Sequence, residues 1–111
     1  MLNCRPQKEL LETVDIIKRM LHGSQVTKKA EGTHVQDPLS LRCIPQLHGA
    51  VKKTLRDAWA AVEVEINGCA DNPIVCGAAD DPQVFSNGNP DASYVGIEMD
   101  SACIAATAAA K

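Results

Sequence analysis

Three stretches of the chain carry apolar residues at helical spacing. In the first, Leu10, Val14, Ile17 and Leu21 recur at intervals of four, three and four, so they share one face of a helix over roughly Pro6 to Leu21. Glu9, Asp15, Lys18 and Arg19 fall mostly on the other side. Pro6 suits a first turn, and Gly23 suits a stop. The second and strongest pattern runs from near Pro45 to Asn67. Leu47, Val51, Leu55, Ala58, Val62 and Ile66 continue at spacings of three or four through about six turns. This predicts a rod suited to a bundle, ended by Gly68 and Asn72-Pro73. The third begins near Ala92 or Ser93 and reaches the last residue. Val95, Met99, Ala102 and Ala106 form one stripe, with Ile97, Ile104 and Ala108 on another. A helix so apolar and so small in side chain expects burial on more than one side. It ends in AATAAAK without a cap, which suggests that the protein continues beyond Lys111.

The connections His22 to Cys43 and Gly68 to Asp91 each exceed twenty residues and lack helical periodicity. Irregular segments beyond about 12–15 residues in a compact domain are usually functional or disordered. In the second, Ile74-Val75-Cys76 and Val84-Phe85 can pair as a short hairpin across Gly77 to Gln83. The predicted fold class is therefore all-α: a long-helix bundle fragment with two long irregular connections and one candidate β-hairpin. Residues 1–111 form a single partial domain on this reading, with no internal repeat.

Composition narrows the function classes. Apolar residues make up 45% of the 111, which excludes a disordered tail, and aromatics only 3%, which makes any core aliphatic. The net charge of -3 argues against nucleic acid as the main partner, since backbone binding needs a clustered basic surface. Lys28-Lys29 and Lys52-Lys53 read as solvated pairs. No apolar run approaches the ~20 residues of a membrane helix, and the start MLNCRPQKEL lacks the apolar core of a secretory signal. Cysteines at 4, 43, 69, 76 and 103 are odd in number and irregular in spacing, so they read as reduced thiols of a cytoplasmic protein.

Candidate chemistry is sparse. Neither Cys69 with Cys76 nor His34 with Cys43 has zinc-knuckle spacing. His48, beside the apolar face of the long helix, suits packing or capping better than ligation or base catalysis. No phosphate loop, dinucleotide fingerprint or HExxH occurs. Gln36, Asp37, Ser40 and Arg42 stand at the mouth of the long helix, where polar groups can bind an anion. Arg42 offers a two-pronged bond to a carboxylate, with Gln36 beside it. On spacing alone, an arginine that caps or pairs within the protein is the more ordinary reading. Glu65, Asn67, Asp71 and Asn72 read as a helix-ending turn.

The string VQDPLSLRCIPQLHG, Val35 to Gly49, closely resembles the Q-D-x-Y-S-x-R-x-x-P-Q-x-x-G signature of aromatic amino-acid ammonia-lyases, and its second half is most similar to histidine ammonia-lyases. EINGCADNP, Glu65 to Pro73, resembles the family's E-I/L-N-x-x-x-D-N-P segment. SNGNPDASYVGIEMD, Ser86 to Asp100, is similar to its S-G-G-N-F-H/Q-G segment and the helix that follows. CRPQKELLETVDIIKRMLHGS, at the start, loosely resembles its R-P-H-x-G-Q and L-L-x-G-S region. The resemblance implies an all-helical homo-oligomer, a tetramer in the family, that removes ammonia from histidine or another aromatic amino acid to leave an α,β-unsaturated acid. It implies that Arg42 holds the substrate carboxylate and that Gln36 lines the same site, which gathers residues from several subunits. It also implies a methylidene-imidazolone cofactor made from an internal Ala-Ser-Gly.

Three departures follow. No Ala-Ser-Gly occurs in this chain, so the ring cofactor cannot form from it. The family's catalytic tyrosine is Leu39 here, and leucine has no proton to exchange. The aromatic of the G-N-F segment is Pro90, followed by Asp91. The expected identity is a fragment of an ammonia-lyase, inactive alone. A non-catalytic homologue whose helices serve oligomer packing, or an aminomutase of the same family, would share these residues. The apolar last helix further predicts self-association.

Overall fold

The structure, a computed structural model, describes residues 4–30, 32 and 35–110. In chain order it contains α1 (Lys8–Leu21), α2 (Gln25–Ala30), α3 (Leu39–Arg42), α4 (Ile44–Asn67), β1 (Ile74–Ala78), β2 (Asp81–Phe85) and α5 (Ser93–Ala109). The expected long helices and the hairpin are present. The first connection corrects the irregular reading of His22 to Cys43, because it carries the short helices α2 and α3. A helix of six or four residues has too few turns to show a periodicity.

Local chemistry sets the boundaries. Gly23 adopts a φ of 76°, a left-handed conformation that suits glycine, just past the end of α1. Pro6 lies before the helix rather than in its first turn, which starts at Lys8. Pro45 stands in the first turn of α4, where its missing N–H costs nothing. The same missing donor cannot continue the ladder of α3, so the chain breaks at Cys43, with φ -93° and ψ 0°.

α4 is the axis, flanked by α1 and α5. Ser101, Ile104, Ala105 and Ala108 of α5 flank a seam with Leu47, Ala50, Val51 and Thr54, while Ser93 and Tyr94 adjoin Val64 and Glu65. α5 therefore runs antiparallel to α4. Its inward stripe is Val95, Ala102, Ala105 and Ala108, and Met99 and Ala106, expected there, stand exposed. α1 crosses α4 at Gly49. A Cβ on that buried glycine would lie 2.8 Å from both the Cα and the N of Leu10. The two backbones meet with no side chain between them.

Beside this crossing sits an ion cluster. Arg56 binds Glu9 at 3.1 Å and Glu12 at 2.8 Å, and Lys52 also pairs with Glu12. Lys53 pairs with Asp57 one turn away. The Lys52-Lys53 pair is thus engaged rather than merely solvated, whereas Lys28 and Lys29 are exposed on α2. Hydrogen bonds from Arg56 and then Lys52 hold the Glu12 carboxyl down at about 2, from an ordinary 4.5.

The hairpin pairs Val75 with Val84 and Ile74 with Phe85, turning at Ala79 and Asp80. Its base is tied by asparagines. Asn87 donates its backbone N–H to Asn72 Oδ1 (3.1 Å) and its Nδ2 to Asp71 O (3.2 Å), and Asn89 Nδ2 donates to Cys69 O (2.9 Å). The turn reading of Asp71 and Asn72 holds, with partners drawn from fifteen or more residues downstream.

The molecule is a rod of 77 × 25 × 23 Å. Its radius of gyration, 22.5 Å, far exceeds the ~13 Å of a compact chain this long. Among the described residues the buried apolar side chains are Leu10, Val14, Ala58 and Ala105. Trp59, Tyr94 and Ile104 are 73%, 80% and 72% exposed, so α5 does not find in this chain the two-sided cover its composition expects. No described helix is long and apolar enough to cross a membrane.

The crossing makes Gly49 and Gly96 respond oppositely to an added methyl group. Gly49→Ala is expected to lower unfolding stability by about 1–3 kcal/mol, the usual cost of overpacking. Gly96→Ala, inside α5 with nothing within 4 Å, is expected to raise it by about 0.5–1 kcal/mol. Denaturant titration reads both, and equal midpoints for Gly49→Ala and the parent would rule out the close crossing. The ion cluster makes an acid prediction. A depressed carboxylate stabilises the fold above its unfolded pKa, and that contribution is lost as pH falls through the folded value. Between pH 4.5 and about 2 the parent should lose its advantage over Glu12→Gln in thermal midpoint. An advantage undiminished near the lower limit would show that Glu12 is not part of the clamp.

Candidate functional site

Gln36, Asp37, Pro38, Leu39 and Arg42 line one shallow depression of about 410 Å³ at the start of α4. Pro38 precedes α3 at φ -51° and ψ 146°, and its carbonyl accepts the N–H groups of Leu41 and Arg42. A residue before proline is held away from the helical region, which keeps Asp37 outside the turn. The Asp37 carbonyl then accepts the Arg42 Nε–H at 2.8 Å. One edge of the guanidinium is thereby fixed on the backbone, and neither Nη group has a partner among the described residues, an arrangement that suits a bidentate anion. Among the described residues no acidic side chain pairs with Arg42, and its bond within the protein is to a backbone carbonyl.

Gln36 and Arg42, singled out from sequence, are brought together. Leu39 shares their depression and is 66% exposed, presenting a hydrocarbon surface without a titratable group. His48 is exposed on α4 beside Thr13, Ile16, Val51 and Trp59, rather than packed or capping, and it does not line the depression. His34 lies outside the described residues. No group of three potential metal ligands gathers among the described residues.

The second segment, Ser86 to Asp91, is not brought to the first. Gly88, Asn89 and Asp91 line a cleft of about 350 Å³ with Val64, Glu65 and Gly68, at the far end of α4. Asp91 accepts the Ser93 N–H at 2.8 Å just before α5, and hydrogen bonds from the Ser93 side chain and then its backbone lower the Asp91 pKa. The 24 residues of α4 separate the two ends by about 36 Å. One amino-acid ligand cannot touch both in a single chain. Sequence reasoning missed the Asp37 carbonyl as the seat of Arg42, because a backbone acceptor carries no residue signal. The proline at 38 was the available hint. No residue of this stretch supplies the tripeptide from which the implied ring cofactor forms.

Comparison with known proteins places the chain in a family. The whole chain, residues 1–111, matches the family described as aromatic amino acid lyase. It is 46% identical over 85 residues to a histidine ammonia-lyase of Streptococcus pyogenes, an overlap that covers 77% of this chain and 16% of that protein. A histidine ammonia-lyase of Streptococcus sanguinis is 45% identical over the same shares. The matched stretch is thus about a sixth of the length of these curated relatives. No solved structure matches. The family match over the full length, on a helical frame that gathers Gln36 and Arg42 beside the start of α4, establishes that the chain belongs to the aromatic amino acid lyase family.

Proposed function

We propose that this chain is the carboxylate-binding segment of an ammonia-lyase that acts on histidine or a related aromatic amino acid. Arg42 carries the reading. With Nε on the Asp37 carbonyl, its two Nη groups form a fork that meets both oxygens of an amino-acid carboxylate. Gln36 supplies an amide in the same depression, able to donate or accept beside the bound acid. Histidine is preferred because the relatives named above are histidine ammonia-lyases. Elimination of ammonia also needs a proton taken from carbon. Leu39 has no proton to move, so the position of the family's tyrosine supplies no acid–base group, and Arg42 and Gln36 bind and orient.

Residues 1–111 serve as one partial domain of a homo-oligomer on this reading, inactive alone. The support is the separation of the two site segments by the length of α4, together with the exposed apolar face of α5. A second copy, or the rest of the protein, would place an 86–91 segment against Arg42. A cytoplasmic setting suits the free state of all five cysteines, and recovery of the native protein in a membrane fraction would argue against it. A second reading, the non-catalytic homologue, is favoured by Leu39.

In the native protein, Arg42→Ala is expected to raise KM or ligand Kd by roughly 10- to 100-fold, matching the ~1.5–3 kcal/mol of a hydrogen bond to a charged group. Binding unchanged by that substitution would remove the carboxylate role. Leu39→Tyr should raise turnover by roughly 10²- to 10⁴-fold if the rest of the site is assembled, the usual size of a positioned acid–base group. No gain would shift the balance to the non-catalytic homologue. Sedimentation should find the chain associated, and a clean monomer at tens of micromolar would count against the packing role of α5.

A further inference from the structure

The chain holds two Asn-Gly pairs, Asn67-Gly68 and Asn87-Gly88, and the fold treats them differently. In the first, Asn67 ends α4, its Nδ2 donates to Glu63 O at 2.7 Å, and the Gly68 N–H donates to Glu65 O at 3.2 Å. The nitrogen next to the side-chain amide is therefore engaged in the last helical turn. In the second, the Gly88 N–H meets no acceptor among the described residues. Gly88 has open space where a Cβ would be, and it lines the solvent cleft at the end of α4 together with Glu65 and Asp91. Water reaches it, and carboxylate bases line the same cleft. Asn87 Oδ1 accepts the Asn89 N–H at 2.8 Å, a donor aimed at the oxygen that would gain charge if the amide carbon were attacked.

We propose that Asn87-Gly88 is a site of spontaneous deamidation, and that the change unties the turn joining α4, the hairpin and α5. The Gly88 nitrogen gives its proton to a base and attacks Asn87 Cγ. The new C–N bond forms, the Cγ–Nδ2 bond breaks, and ammonia leaves with a proton. Water then opens either C–N bond of the five-membered imide, leaving aspartate or isoaspartate at position 87. One water is consumed and one ammonia released, with no change of oxidation state. The product has lost the Nδ2 donor that now meets Asp71 O at 3.2 Å and Phe85 O at 3.4 Å. A carboxylate there faces two carbonyl oxygens, and both can no longer be satisfied. The segment loosened is the one that resembles the family's S-G-G-N-F-H/Q-G segment.

The test is to incubate the native protein at mildly alkaline pH and map isoaspartate by peptide, with a denatured sample as reference. Position 87 should convert roughly tenfold faster than position 67 in the native protein, an effect of about 1.4 kcal/mol on the barrier. The two should converge on denaturation. Gly88→Ala, which meets nothing, should slow position 87 by a similar factor and leave position 67 unchanged. Equal native rates, or a rate at 87 indifferent to Gly88→Ala, would overturn the site. For the untying, Asn87→Asp should speed hydrogen exchange of the β1 and β2 amides, and parental protection in that variant would overturn it.

Discussion

Everything in this small fold is referred to the point where α1 lies on α4. Leu10 and Gly49 meet backbone to backbone, closer than any pair of side chains would permit. That contact sets the position of α1, and with it Glu9 and Glu12 come within reach of Lys52 and Arg56. The apolar term is small here, since Leu10 and Val14 are the only apolar side chains of α1 that are buried. The charged clamp and the glycine crossing therefore carry a share of the docking that a larger core would otherwise supply. The crossing also gives a physical reason for the last residue of the signature from Val35 to Gly49. Its glycine serves helix packing, while Gln36 and Arg42, earlier in the same signature, line the depression at the start of α4.

Much of this was legible in sequence, and the reasons are specific. α1, α4 and α5 run for fourteen residues or more, long enough for a 3.6-residue period to declare itself. The hairpin was legible from two β-rich runs around a turn. α2 and α3 were not, because so few residues cannot show a period, although Pro45 marked where α3 had to stop. Within the site, the pairing of Gln36 with Arg42 was visible as a motif. The seat of Arg42 on a main-chain carbonyl was not, and neither was the reach of Asn87 and Asn89 back to residues 69–72. Bonds to backbone atoms depend on where the chain passes. Residue type says little about them.

The stripe expected on α5 turned out to be offset for a related reason. In a helix made largely of alanine, apolar positions surround the axis, and the sequence cannot say which of them a single neighbour will cover. α4 covers Val95, Ala102, Ala105 and Ala108, and leaves Ile97 and Ile104 outside. With 45% apolar residues and so few of them buried, the chain meets its conformational entropy cost poorly by itself. Its exposed leucines, isoleucines and Trp59 make up a large apolar surface.

The length of α4 has a consequence of its own. The helix works as a ruler, with the Gln36–Arg42 depression at one end and the cleft lined by Gly88, Asn89 and Asp91 at the other. Inserting a single residue in its middle would move the far end by about 1.5 Å and swing it by about 100° around the axis. The seam with α5 and the crossing with α1 could not both survive that rotation. Insertions of about seven residues, close to two full turns, would restore the angle and still lengthen the rod by about 10 Å. Loops elsewhere in such a protein can drift in length, but this helix must be counted residue by residue.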